Sequence, residues 1–336
     1  MFVVIGTTTV DLIVRGMPAF AALGDGFRTD NLVFCDEPLL MLMGGNGGNS
    51  AYVLGKLGVA TAVCSSVGQD EWGDWLAQKL AAQRVNLAGL MRQPDLATST
   101  SMILLDSAER LAVFHHKGAT DALAVTAVHE TLFAQAELLL ASSYTLLPKM
   151  RAGGFARALQ LTHEAGGITA LDIGPAIAEP VTTAEIAPLF SFLDYVLANT
   201  HELMVCTGAA DWETAVALLL AQGCRCVVVK RGSEGVTLRS RQFNLDVAAF
   251  PVSANISVGA GDAFNAGFLY GLWGERPSKA PDSPEQASAQ KRAWPGRQDL
   301  LKALRFGNVV AALVVGGQRG VFSAPTLAQV EEFLLD

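Results

Sequence analysis

The stretch that most constrains this chain is residues 255–272, NISVGAGDAFNAGFLYGL, where a β-prone run breaks on Gly259-Ala260-Gly261 and a helix is expected to begin at or near Asp262. Glycines at such a junction let successive backbone N–H groups converge, and the following helix adds the positive end of its dipole. Ala263, Gly267 and Gly271 keep one helix face small enough to pack closely on a sheet. An anion fits there, and Asp262 puts a carboxylate beside it. A phosphoryl group held by amides, with a base one residue away, is the minimal equipment for moving phosphate onto a hydroxyl. The same residues also fit a tight turn with Asp262 as an ordinary first-turn acid.

The 336 residues exceed one typical domain, but α/β folds often reach this size undivided, so one large domain with small additions is expected. A hydrophobic content of 51% provides ample core, and a formal charge of −8 gives no footprint for nucleic acid or an anionic membrane. Small-molecule chemistry is left. The opening MFVVIGTTTVDLIV enters a strand without a basic region or cleavage pattern, and no later stretch has the apolar length of a membrane span, so a cytoplasmic location is expected. The five cysteines are odd in number and lack a second ligand pair after Cys224-x-Cys226, which reads as reduced core thiols.

Taken in order, residues 2–5 form a short buried-strand pattern that ends at Gly6, before Thr7, Thr8, Thr9 and Asp11. Polar side chains past the end of a parallel strand sit where α/β sheets bind ligands; Asp11 also fits a solvated turn. Residues 28–42 are β-prone but irregular and run into Gly44-Gly45-Asn46-Gly47-Gly48-Asn49-Ser50, then a helix. Its glycines admit a ligand to the backbone, and Asn46 and Asn49 carry amides suited to neutral hydroxyls; a loop capped by Asn49 or Ser50 is the plainer alternative. Neither glycine cluster has the spacing of a P-loop or of G-x-G-x-x-G.

A strand over 60–67 and a helix through Leu80 follow. Residues 99–116 then read as a β-hairpin turning at Asp106-Ser107-Ala108-Glu109, and with residues 13–42 they would build a small β-flap over the glycine site. The second half repeats a strand-then-helix rhythm through LLLAS, ITALDI, YVLANT and CVVVKRG, which predicts a mostly parallel sheet covered on both faces. Asn199 and Glu202, just past a strand end, fit either a cap with an i+3 acid or a pair reaching towards a metal nucleotide through water. Lys230, before the turn Arg231-Gly232-Ser233-Glu234-Gly235, is either a phosphate or nucleotide contact or a surface cation.

Over nearly its whole length the sequence resembles the PfkB or ribokinase family of carbohydrate kinases. The motifs stand in order: an opening strand with Gly6 and Asp11, GGNGGN and its helix, VGQDEWG, the hairpin, N-x-x-E at Asn199 and Glu202, KRGSEG, VGAGDAF, and a final helix containing Asn308. The resemblance implies a ribokinase-like three-layer α/β/α sandwich with a mostly parallel central sheet and a small β-flap lid. ATP would lie across the C-terminal half of the sheet and a sugar under the flap. By the same resemblance Asp262 is the general base, and the amides of Gly259, Ala260 and Gly261 form the anion hole. Thr9, Asp11, Gly45, Asn46 and Asn49 match sugar-contacting positions. Glu202, with Asn199, matches the motif that organises Mg²⁺ and phosphate water, and Lys230, Gly232, Gly235 and Asn308 match the nucleotide cleft.

Several positions depart from that pattern. Members often carry Lys at the place of Asn46 and Asn at the place of Thr9. The common acidic position three residues before the first anion-hole glycine is Ile256, which offers no oxygen to a monovalent cation, so turnover independent of K⁺ is expected. Residues 275–299 are polar and Pro-rich where relatives have a short connection, and read as a solvated surface insertion. The expected activity is ATP- and Mg²⁺-dependent phosphorylation of a primary hydroxyl on a non-phosphorylated sugar or sugar-like alcohol. A nucleoside of the adenosine or inosine type is the alternative acceptor, stacking on Phe20, Phe27, Phe34 or Phe114, and a catalytically inactive sugar-binding protein is the alternative from another class. Two copies could pair through the lid edges, or each lid could cap its own site.

Overall fold

In a computed structural model of the chain, residues 1–17, 34–106, 111–177, 179–253, 258–274 and 294–335 are described. In order the elements are β1 (Phe2–Ile5), β2 (Thr9–Met17), β3 (Leu40–Gly44), α1 (Asn46–Lys56), β4 (Thr61–Gly68), α2 (Glu71–Ala82), β5 (Leu90–Gln93), β6 (Thr100–Asp106) and β7 (Leu111–His116). Then come α3 (Ala127–Ala134), β8 (Leu138–Ala141), α4 (Phe155–Glu164), β9 (Ile168–Asp172), α5 (Thr183–Ile186), β10 (Tyr195–Asn199), α6 (Thr200–Thr207), α7 (Trp212–Ala221) and β11 (Cys226–Lys230). The chain closes with β12 (Val236–Ser240), β13 (Asn244–Val247), α8 (Ala260–Gly274), α9 (Arg297–Gly316) and α10 (Leu327–Leu335).

The large sheet has the strand order β13-β12-β11-β10-β9-β8-β1-β4-β5. It is parallel from β11 to β5, and β12 and β13 add an antiparallel edge. Short, wholly apolar strands such as FVVI suit a sheet buried on both faces. Alternation then divides the core: Phe2 and Val4 pack with residues of α1, α2, α8, α9 and α10, whereas Val3 and Ile5 pack with residues of α3, α4, α5, α6 and α7. The result is three layers, with the sheet between two helical ones.

β8 and β4 flank β1 on opposite sides, and the chain reaches the two halves of the sheet in opposite directions. This switch point opens a crevice at the carboxyl ends of β1 and β8, where open α/β sheets bind ligands. A second sheet, β3-β2-β6-β7, is fed directly from that end by the three-residue link after β1. The expected hairpin is present as antiparallel β6 and β7; its turn, residues 107–110, lies outside the described residues. The small sheet begins at Thr9 rather than residue 13, because Val10 pairs with both Met43 and Thr100 and so extends β2 back to the end of β1. Residues 34–39 form no strand, and 18–33 lie outside the described residues.

Two boundaries differ from the sequence reading. The helix carrying Asn308 is followed by α10, so it is not the last, and α9 begins at Arg297, inside the stretch read as an insertion. The remainder of that stretch up to residue 293 lies outside the described residues. No single helix among the described residues is long and apolar enough to cross a membrane.

Candidate active site

The ends of β9 and β11, the segments that follow β1 and β8, and the first turns of α1 and α8 converge at the crevice. α8 begins at Ala260, two residues before the position expected from the sequence, so Asp262 lies in its first turn. The first intrahelical bond runs from the Ala263 amide to the Gly259 carbonyl at 2.9 Å. The amides left without a partner inside the helix are therefore those of Gly259, Ala260, Gly261 and Asp262, which include the trio read in the sequence. Gly259 is also the turn residue: its φ is +83°, and a Cβ there would lie 2.6 Å from Val321 Cγ1.

The Asp262 carboxylate is held at both oxygens. Asn46 Nδ2 donates to Oδ1 and Asn49 Nδ2 donates to Oδ2, each at 2.8 Å. α1 and α8 are thus joined through the group expected to act as base. The side-chain donors of both asparagines thus face the acid. Asn49 Oδ1 is buried without a hydrogen-bond partner. Gly45 N-caps α1 with φ +82°, packed so closely on the Thr7 carbonyl that a Cβ would approach to 2.4 Å. Burial raises the pKa of Asp262; the two amides lower it, Asp172 raises it and Lys230 lowers it.

Thr9 and Asp11 lie on β2 rather than in a turn, and both are buried. Asp11 Oδ1 accepts from Thr9 Oγ1 at 3.2 Å. Asp11 pairs in register with Leu42 and Ser101, so its side chain shares a face of the small sheet with Ser101 and His115. Burial pushes its pKa up to about 6, against hydrogen bonds from Ser101 and Thr9. Phe114 pairs with Met102, one residue out of step with that row, and therefore projects from the opposite face. It does not offer a stacking platform beside Asp11. Phe34 is 79% exposed, and Phe20 and Phe27 lie outside the described residues.

On the other side of α8 a cavity of about 600 Å³ is lined by Lys230, Gly232, Gly235, Phe250, Ala260, Gly261, Phe264 and Asn308 among others. Four of the five positions read as nucleotide-binding meet there. Asn308 spends its side-chain amide on the Ala248 carbonyl at 3.0 Å, tying α9 to the end of β13. Asn199, the fifth, is not in the lining. It caps α6: its Oδ1 accepts from the Glu202 amide at 2.8 Å, and Glu202 Oε2 accepts from the Asn199 amide at 2.7 Å. The plainer reading of that pair is therefore realised, leaving Glu202 Oε1 available. Burial pushes the Glu202 pKa up to about 7, with Lys230 opposing and Asp172 and Asp262 adding to the rise.

Lys230 is not a surface cation. Its Nζ donates to Asp172 Oδ2 at 2.7 Å, and a Cβ on Gly261 would lie 3.5 Å from it, which places the ammonium against the first turn of α8. Asp172 also accepts from Asn265 Nδ2 and, at 2.9 Å, from the Gly174 amide. Sequence reasoning missed Asp172 and Asn265. The signal available was a lone acid at the end of the apolar run ITALD and an amide one helical turn after Asp262, neither of which announces a partner. Ile256 and Ser257 lie outside the described residues, so the expectation about K⁺ has no structural counterpart.

Residues 21–327 match the family model of the pfkB family carbohydrate kinases. The chain is 24% identical over 298 residues to fructokinase-2 of Oryza sativa subsp. japonica, covering 87% of this chain and 84% of the relative. It is 24% identical over 338 residues to the ribokinase of Haemophilus influenzae, covering 98% and 97%. The structure of Arabidopsis thaliana ribokinase complexed with ribose and ATP superposes with a TM-score of 0.76 at 22% identity, over 99% of this chain and 98% of that one.

Proposed function

The chain belongs to the pfkB family of carbohydrate kinases, phosphotransferases with an alcohol group as acceptor, and on that premise we propose that it moves the γ-phosphoryl group of ATP onto a primary hydroxyl of a non-phosphorylated sugar or sugar-like alcohol. The observation that carries this reading is the position of Asp262. Its carboxylate is buried between two asparagine amides, in the first turn of a helix whose unpaired amides border a cavity of about 600 Å³.

In this reading the cavity takes the nucleotide, with its phosphates directed at the amides of Gly259, Ala260 and Gly261, with that of Asp262 beside them, and at Lys230. The acceptor lies between Asp11, Thr9 and the loop at Gly45, under the small sheet acting as a lid. Asn49 Oδ1, buried and unpartnered, accepts from an acceptor hydroxyl. Asp262 takes the proton of the attacking hydroxyl, and the amides and Lys230 meet the charge that develops on the transferred group. Bound Mg²⁺ would neutralise phosphate charge, and Glu202 Oε1 is the carboxylate oxygen suited to reach its water.

A coupled assay of ADP release over a panel of sugars, polyols, sugar phosphates and nucleosides, with Asp262→Asn as control, tests the proposal. Turnover on a non-phosphorylated sugar, abolished by the substitution, is expected. Preference for a nucleoside would move the acceptor class; binding of sugars without turnover would leave a binding protein.

A further inference from the structure

We propose that Ser143 is a positioning residue for phosphoryl transfer: its hydroxyl locks the Asn46 side-chain amide in the orientation that donates to Asp262. The inference rests on Asp262 as the base.

Ser143 follows β8 at the switch point, directly across from the link after β1. It is fully buried, and its backbone is left-handed (φ 57°, ψ 35°), a conformation that glycine adopts more readily. A serine at such a position implies work for the side chain. Ser143 Oγ accepts from the Thr7 amide at 3.1 Å, lies 3.0 Å from Thr7 Oγ1, and donates to Asn46 Oδ1 at 2.9 Å. Asn46 Oδ1 can only accept, so the one Ser143 proton goes to it, and Thr7 Oγ1 is left as the donor to Ser143 Oγ. The Nδ2 end of that amide then points at Asp262 Oδ1, 2.8 Å away.

The lock matters because a side-chain amide has two nearly isosteric ends with opposite hydrogen-bonding character. Nδ2 facing Asp262 stabilises the carboxylate. Oδ1 facing it would repel the carboxylate and accept from the protonated acid, which is useless as a base. Burial already favours that neutral form, so the amide's direction bears on whether Asp262 is ready to take a proton. A lysine at this place would present only donors and need no lock. Asn49 has no counterpart to Ser143, since its Oδ1 is unpartnered and Asp262 alone orients it.

The test is kcat against pH for wild type, Ser143→Gly, Asn46→Lys and the double variant, on the best acceptor found. Glycine suits the left-handed backbone, so the substitution removes the hydroxyl without adding strain. Ser143→Gly is expected to lower kcat about tenfold at pH 7, with the acid limb moved to higher pH, most activity regained near pH 9, and KM for ATP unchanged. In the Asn46→Lys background the same change should cost less than ~2-fold, because the coupled partner is gone. Equal cost in both backgrounds, or a loss uniform across pH, overturns the proposal. Difference infrared titration of the Asp262 carboxyl, referenced to Asp262→Asn, reads the relay without turnover: its apparent pKa should rise in Ser143→Gly, and an unchanged value refutes the lock. If no acceptor is phosphorylated by the wild type, the kinase reading fails while this titration still decides the relay.

Discussion

Lys230 Nζ sits 2.7 Å from Asp172 Oδ2, joining the ends of β11 and β9 beneath the first turn of α8. The ammonium is the cation that lowers the pKa of both Glu202 and Asp262, so it holds negative charge in a buried cluster that burial would otherwise neutralise. Lys230→Met should leave Asp172 uncompensated and destabilise the protein by about 3–5 kcal/mol. The loss should be greatest at neutral pH and smaller near pH 4, where the Glu202 carboxyl, pushed up to about 7, is protonated and the cluster around Lys230 carries less negative charge. Thermal melts at the two pH values check this; an equal loss at both would mean the lysine contributes packing rather than charge.

Asp262→Asn should reduce kcat by at least ~10²-fold while leaving the KM for ATP near wild type, since it removes a proton acceptor and not a binding group. Steady-state kinetics decide it. Retention of more than about a third of wild-type kcat is incompatible with the general-base role.

Gly259 and Gly261 should respond differently to alanine. At Gly259 the positive φ and the 2.6 Å approach to Val321 oppose any side chain, so Gly259→Ala should lower Tm and activity together. Gly261 is helical and its Cβ would meet the Lys230 side chain at ordinary contact distance, Nζ at 3.5 Å and Cδ at 4.0 Å, so Gly261→Ala should keep its Tm and lose activity through crowding of the anion site. A Tm loss at Gly261 as large as that at Gly259 would contradict the assigned turn.

The Asp11 carboxyl titrates at about 6 in the folded protein, above its ordinary 3.8. Between these values the folded state binds the proton more tightly than the unfolded chain, so this group's stabilising contribution is complete below pH 3.8 and is lost as pH rises through about 6. Asp11→Asn keeps a similar shape without the charge. It should raise Tm by roughly a few degrees at pH 7 and make little difference at pH 4, while raising the KM of the acceptor. An Asn variant less stable than wild type at pH 7 would show that the ionised carboxylate is better solvated in the fold than its burial implies.

Much was legible in the linear chain because the relevant physics is local. Apolar runs of four or five residues, each followed by a helical pattern, specify buried parallel strands whatever their order in the sheet. A Gly-Ala-Gly break before a helix places unpaired amides near Asp262. The hairpin of β6 and β7 follows from alternation and turn chemistry. What the chain could not disclose are relationships across long separations. Asn46 and Asp262 are 216 positions apart, Thr7 and Ser143 136, and Lys230 and Asp172 58. Each pair meets only because the strand order β11-β10-β9-β8-β1-β4 brings the carboxyl ends of distant strands to one crevice. The same limit explains Phe114, whose side of the lid depends on pairing register, and Lys230, which could have been solvated until the sheet placed an acid beside it. Sequence determined the elements and the residues able to do the chemistry. Tertiary structure decided which polar group faces which, since a buried hydrogen bond takes its partner from three-dimensional proximity and not from spacing along the chain.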